Sequence, residues 1–101
     1  MTMDTKALLA EAEALKPQLL TDRRTLHRDP EVGPSLPRTA AYVTERLMAL
    51  GYTPRPLAGG VVADTTGEDT GRCVLLRADM DALAGREQSG LDFQADNGAM
   101  H

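Results

Sequence analysis

An apolar run, Cys73-Val74-Leu75-Leu76, leads through Arg77 and Ala78 into two carboxylates, Asp79 and Asp81, and no other stretch constrains the fold as strongly. It follows a glycine-bounded loop, Gly67 to Gly71, and is too short and too uniformly apolar for an amphipathic helix. A strand buried on both faces fits it better. Side chains alternate across a strand, so Asp79 and Asp81 share one side if the extended backbone persists to its end. Two carboxylates about 6 Å apart repel by roughly 2–3 kcal/mol at an effective dielectric near 20, so the pair calls for a cation. In open α/β sheets, ligands gather beyond the carboxyl ends of strands, which is where this pair falls. The competing reading is that both aspartates simply end a strand in a turn.

The rest of the chain supplies elements to surround that strand. Residues 4–15 are rich in Ala, Leu and Glu and predict a helix with Leu8, Ala12 and Leu15 on one face. Pro17 either kinks it or opens a second helix running to about Arg28. Arg23, Arg24 and Arg28 then lie toward a helix C-terminus, where basic side chains suit the dipole; a binding patch is the alternative. Asp29-Pro30 stops the helix. Ser35 is placed to cap a third helix, in which Leu36, Ala40, Val43, Leu47 and Leu50 recur at helical spacing until Gly51. Residues 52–57 and 61–66 flank Ala58-Gly59-Gly60 as a hairpin, with Pro54 and Pro56 confining the first arm to a sheet edge. The polar turn 66–71 would lead into the apolar run as the third strand of a small antiparallel meander. Residues 84–101 read as a loop with at most one short strand.

Composition limits the partners. A chain of 101 residues makes one domain without room for a large core. A formal charge of −4 with 3% aromatic residues argues against a nucleic-acid surface. No apolar run approaches the ~20 residues of a membrane helix, and the start lacks the layout of a signal peptide, so a cytoplasmic location is expected. Cys73, the single cysteine, reads as a small buried hydrophobe rather than a reactive thiol.

Several ordered blocks together carry a resemblance. Thr25-Leu26-His27-Arg28-Asp29-Pro30-Glu31-Val32-Gly33, then Arg38-Thr39-Ala40-Ala41-Tyr42-Val43, Leu47-Met48-Ala49-Leu50-Gly51, Gly60-Val61-Val62-Ala63 and Leu76-Arg77-Ala78-Asp79-Met80-Asp81-Ala82-Leu83 resemble the opening of the metal-dependent amidohydrolases related to hippurate hydrolase. That group includes N-acyl-amino-acid amidohydrolases, within the di-metal aminoacylase and carboxypeptidase superfamily. The resemblance covers nearly all of this chain and implies an α/β fold: N-terminal helices followed by a small β-meander, an incomplete part of a di-zinc-exopeptidase-like catalytic domain. Residues 1–101 would be its N-terminal portion.

The resemblance also implies roles. Asp81 matches the aspartate that follows the apolar strand in the superfamily and orients a group beside the metal pair. Asp79 stands where relatives outside this branch place a metal-binding His, and in the resembling branch it is Asp and not a ligand. Asp81 and Asp79 are therefore the candidate catalytic residues. Gly98-Ala99-Met100-His101 is similar to the lead-in of the family's metal-binding segment, with His101 at a position that is not a ligand. Ala84 stands where the family usually has proline, and Asp29 where it has a second histidine. Two divalent cations, Zn or Mn, are implied for the intact family, acting on a small N-acyl amino acid, with none expected to be held stably by these residues alone. Independent hydrolysis by the isolated chain is accordingly not expected.

Two other readings stand beside this one. Residues 75–81 also fit the Asp-x-Asp strand of a haloacid-dehalogenase-like phosphatase, whose further motifs find no room after Asp81. A non-catalytic assembly module is the third reading, because the helices cover little more than one sheet face and leave an edge for self-association.

Overall fold

The computed structural model describes residues 3–65 and 67–101; Met1, Thr2 and Thr66, the last residue expected of the hairpin's second arm, lie outside them. Three helices, α1 (Thr5–Ala14), α2 (Lys16–Arg28) and α3 (Pro37–Ala49), precede four short strands: β1 (Arg55–Leu57), β2 (Gly60–Val62), β3 (Leu83–Ala84) and β4 (Ala99–Met100). The architecture is mixed α/β, with two separate two-stranded antiparallel ribbons, β1-β2 and β3-β4.

The Asp4 carboxylate caps α1 by accepting the amides of Lys6 and Ala7 at 3.0 and 3.3 Å. Pro17 sits in the first turn of α2, where its missing N–H costs nothing. The expected apolar face of α1 is not buried among the described residues, since Leu8 and Leu15 are both exposed. α3 starts without a cap from Ser35. Its first amides are taken by Glu31, which lies in the turn ahead of the helix: Oε1 accepts from Thr39 at 2.6 Å and Oε2 from Arg38 at 3.3 Å. A carboxylate there satisfies orphan donors and lies at the positive end of the helix dipole.

The β1-β2 hairpin pairs Arg55 with Val62, Pro56 with Val61 and Leu57 with Gly60. Its two-residue turn has both φ values positive, 51° at Ala58 and 85° at Gly59, as a type I′ turn requires. β2 packs against α3. A Cβ at position 59 would collide with the carbonyl oxygen of Pro34, so the hairpin tip lies hard against the loop before α3.

The meander's third strand does not form. Among the described residues, 72–81 make no ladder with any neighbour, and Val74, Leu75 and Leu76 are 84, 83 and 91% exposed. Cys73 is exposed as well, contrary to its expected burial. The physical reason is a shortage of partners: an apolar strand is buried when neighbours pair with its edges and layers cover its faces, and α3 is already committed to the hairpin. The buried apolar set is correspondingly small. It comprises Leu36, Ala82, Ala95 and Ala99 around Pro30, where the turn between α2 and α3 meets the β3-β4 ribbon. The radius of gyration is 16.3 Å, against about 13 Å for a compact chain of this length. The accessible surface, 8455 Å², is about half as much again as a compact protein of this mass exposes.

Candidate functional site

Asp81 is placed by the backbone on its C-terminal side. The amide of Ala82 donates to the carbonyl oxygen of Glu31 at 2.8 Å, and Val32 and Ala82 form an isolated parallel bridge. Pro30 is fully buried beside this contact, and its carbonyl accepts Asn97 Nδ2 at 2.9 Å. The Asp-Pro-Glu-Val turn thus holds both the residue after Asp81 and the loop before β4. The same Glu31 that anchors Ala82 through its carbonyl caps α3 through its carboxylate, so helix and candidate acid share one fixed point.

Asp79 and Asp81 line one cleft of about 640 Å³ together with His101, Arg23 and an apolar wall that includes Leu26, Val43, Leu47 and Val61. Ala78 and Met80 line it too, so the cleft takes the whole 78–81 segment rather than one alternating face, and no ladder holds that segment. Both remain exposed, and Asp79 is tied to Arg77 at 2.8 Å, an ion pair internal to the 72–81 segment. Burial pushes the His101 imidazole below its ordinary value, with the positive charge of Arg23 and then His27 adding to the effect. The Met80 carbonyl and the Asp81 carboxylate pull it the other way.

Two buried carboxylates in this region escaped the sequence reading as structural hubs. For Glu31, 7% exposed, burial favours the neutral acid, but the bonds from Thr39 and Arg38 outweigh it and hold the carboxyl below its ordinary value. For Glu87, 5% exposed, the Ser89 hydroxyl does the most to lower the carboxyl against the opposing effect of burial; the Ala95 amide at 3.1 Å and His27 Nε2 at 2.7 Å add to it. A serine, a carboxylate and a histidine meet here, yet the carboxylate lies between the other two. Ser89 consequently has the carboxylate and not the imidazole beside it, so the order of a nucleophilic triad is not met and the group is a clamp between α2 and the 85–97 loop. The only available signal was a glutamate among small and polar residues, which carries no periodicity.

Among the described residues no three His, Cys, Asp or Glu side chains are gathered in a way that could hold a metal ion. Asp81 with His101 offers too few donors for a divalent pair, and Asp79 is engaged by Arg77. The residues present do not by themselves fit a di-metal centre. No helix among them is long and apolar enough to cross a membrane.

Comparison with known proteins finds no matching family model and no matching solved structure. Curated relatives do match. The chain is 37% identical over 92 residues to the N-acyl-L-amino acid amidohydrolase of Geobacillus stearothermophilus, an alignment covering 88% of this chain and 25% of that enzyme. It is 36% identical over 104 residues to the N-acetyl-L-cysteine deacetylase of Bacillus subtilis, covering 100% of this chain and 25% of the relative. A putative glutamate–cysteine ligase 2-3 of Rhodococcus jostii is 39% identical over 79 residues, 77% of this chain but 10% of that protein, so its name describes mostly sequence that is not matched. The chain spans about a quarter of the length of the amidohydrolase and deacetylase relatives. Over that quarter, the blocks around Glu31 and Asp81 sit in an alignment that takes in nearly the whole chain, and the chain belongs to the N-acyl-amino-acid amidohydrolase family.

Proposed function

We propose that these residues form the acid rim of a metal-dependent amidohydrolase, the N-terminal portion of a di-zinc-exopeptidase-like α/β catalytic domain. The whole protein would hydrolyse the amide bond of a small N-acyl amino acid in the cytoplasm. Family membership supports the chemistry, and the observation that carries the site is the bond from Ala82 to the Glu31 carbonyl, which holds Asp81 at the mouth of a cleft. In this reading Asp81 orients a group beside the Zn or Mn pair implied by the resemblance, and Asp79, neutralised by Arg77, is the second acid of the rim. The cations require donors additional to the side chains described here.

A chimera tests this reading. The matched quarter of the B. subtilis deacetylase is replaced by this chain and N-acetylcysteine deacetylation is measured with Zn²⁺ or Mn²⁺. The chimera is expected to turn over, and Asp81→Asn to lower its rate by about 10–100-fold, the usual cost of losing an orienting group. A chimera whose rate is the same with and without the Asp81→Asn substitution would remove Asp81 from the site. The isolated chain, given either metal and hippurate, is expected to release no benzoate above the buffer rate.

A second reading, a non-catalytic assembly module, is favoured by one observation: Val74, Leu75 and Leu76 stand almost wholly in solvent on an unpaired segment. Such an edge offers backbone groups and apolar side chains together, and self-association is its expected consequence.

A further inference from the structure

A second cleft, of about 510 Å³, lies between α2 and the loop of residues 87–93, and neither Asp79 nor Asp81 lines it. Leu20, Leu91, Phe93 and Met100 supply apolar walls, and the His27–Glu87 pair closes one side with its charge already satisfied by Ser89 and the Ala95 amide. The volume lies in the range of small-molecule sites.

Arg23 and Arg24 border this cleft. Among the described residues, Arg38, Arg46, Arg55 and Arg77 each have a carboxylate within 4.0 Å, whereas Arg23 and Arg24 have none. The Arg24 guanidinium carbon lies over the Phe93 ring, 4.7 Å from its centroid, a cation–π contact that draws the planar group to the aromatic wall of the cleft. The basic cluster of α2 is thus more than a dipole-compatible face. It sets planar donors beside an apolar pocket, a combination that suits a ligand with an anionic head and an apolar body.

We propose that this cleft binds an amphiphilic monocarboxylate, its carboxylate held by the Arg24 fork with Arg23 beside it and its apolar chain laid against Leu20, Leu91 and Phe93. A carboxylate matches the guanidinium fork with two parallel hydrogen bonds, which an alcohol cannot do, and acetate has no body to bury. The proposal uses neither Asp79 nor Asp81, and of its residues only Arg23 also lines the first cleft.

NMR titration of the 101-residue chain with hexanoate, 1-hexanol and acetate tests it, followed on the ring protons of Phe93, the only phenylalanine. Saturable shifts are expected with hexanoate, with acetate and hexanol at least about tenfold weaker, because each lacks one of the two contacts. Arg24→Gln keeps length and polarity and is expected to weaken hexanoate at least about tenfold. Arg72→Gln, remote in an exposed segment, is expected to leave it unchanged. Equal binding of hexanol and hexanoate, an unaffected Arg24→Gln, or no saturation with hexanoate would each overturn the proposal.

Discussion

The backbone amide of Ala82 donates to the carbonyl oxygen of Glu31, far back along the chain, at 2.8 Å, while the carboxylate of the same Glu31 takes the first amides of α3. One buried residue thereby joins a helix start, a turn and the position after Asp81. Since the apolar core beyond this point is small, polar connections at Glu31 and Glu87 carry an unusual share of the tertiary order.

Removing the Glu31 carboxylate is therefore costly. Glu31→Ala leaves the buried Thr39 amide and the half-buried Arg38 amide without partners and is expected to destabilise the chain by about 1–3 kcal/mol, read as a lowered urea midpoint by circular dichroism. Glu31→Gln, which retains one acceptor oxygen, should cost less. The acid side follows with a definite sign. Glu31, Glu87, Asp22 and Asp29 all have carboxyls lowered in the folded state, so their contribution is complete above the unfolded values of about 4 and is lost as pH falls through the folded ones. A urea midpoint that drops steeply below about pH 4, and less steeply in Glu31→Gln, is the expected result.

Much of this was legible beforehand, for reasons that differ by element. The three helices follow from local signals: Asp4 ahead of an Ala-Leu-Glu run, Pro17 in a first turn, Asp29-Pro30 as a stop. The hairpin follows from Ala58-Gly59, whose backbone the turn demands. The apolar run at 73–78 reads as a strand from its composition, but a strand is a relation between segments, and composition cannot supply a neighbour. Ser35 looked like the cap of α3 because capping rules are local; a buried carboxylate from the preceding turn took that role through tertiary contact. Spacing pairs Asp79 with Asp81 and the resemblance gives them candidate roles, whereas Glu31 and Glu87 become visible as hubs only when distant segments are brought together.

Asp81 and His101 share a cleft, and the two-histidine composition makes their coupling measurable. The His101 ring protons are expected to titrate with a midpoint below the ordinary imidazole value of about 6.5. Asp81→Asn removes a charge that favours the imidazolium, so the midpoint should move further down. Because the folded imidazole is lowered, the stability linked to His101 is present above the unfolded value and declines as pH falls through the folded one. A His101 midpoint that is unmoved by Asp81→Asn would separate the two residues.

Gly59 is held at φ 85° with the Pro34 carbonyl where a Cβ would go. Gly59→Ala meets both the left-handed backbone penalty, about 1–2 kcal/mol, and a backbone collision that no side-chain rotation relieves. A loss of at least about 1 kcal/mol in urea unfolding is expected. Gly90→Ala, also at positive φ but with open space around its Cβ, should show the backbone penalty alone and so the smaller loss.

The exposed run at 74–76 sets the behaviour of the chain in solution. Full burial of its three side chains would contribute roughly 5–9 kcal/mol, a sum comparable with the entropic cost of bringing two chains together. Side-chain burial alone therefore supports weak pairing, and a backbone ladder along the free edge is needed to make it appreciable. The net charge of −4 opposes close approach, so added salt should strengthen association. Light scattering at micromolar concentration is expected to give a mass above the 10.9 kDa of one chain, rising with concentration and with salt. Leu75→Lys places a charge in the middle of the edge, a substitution that blocks strand addition, and should return the mass to that of a monomer without loss of helix signal. A wild-type chain that stays monomeric throughout would show that this segment is not an association edge.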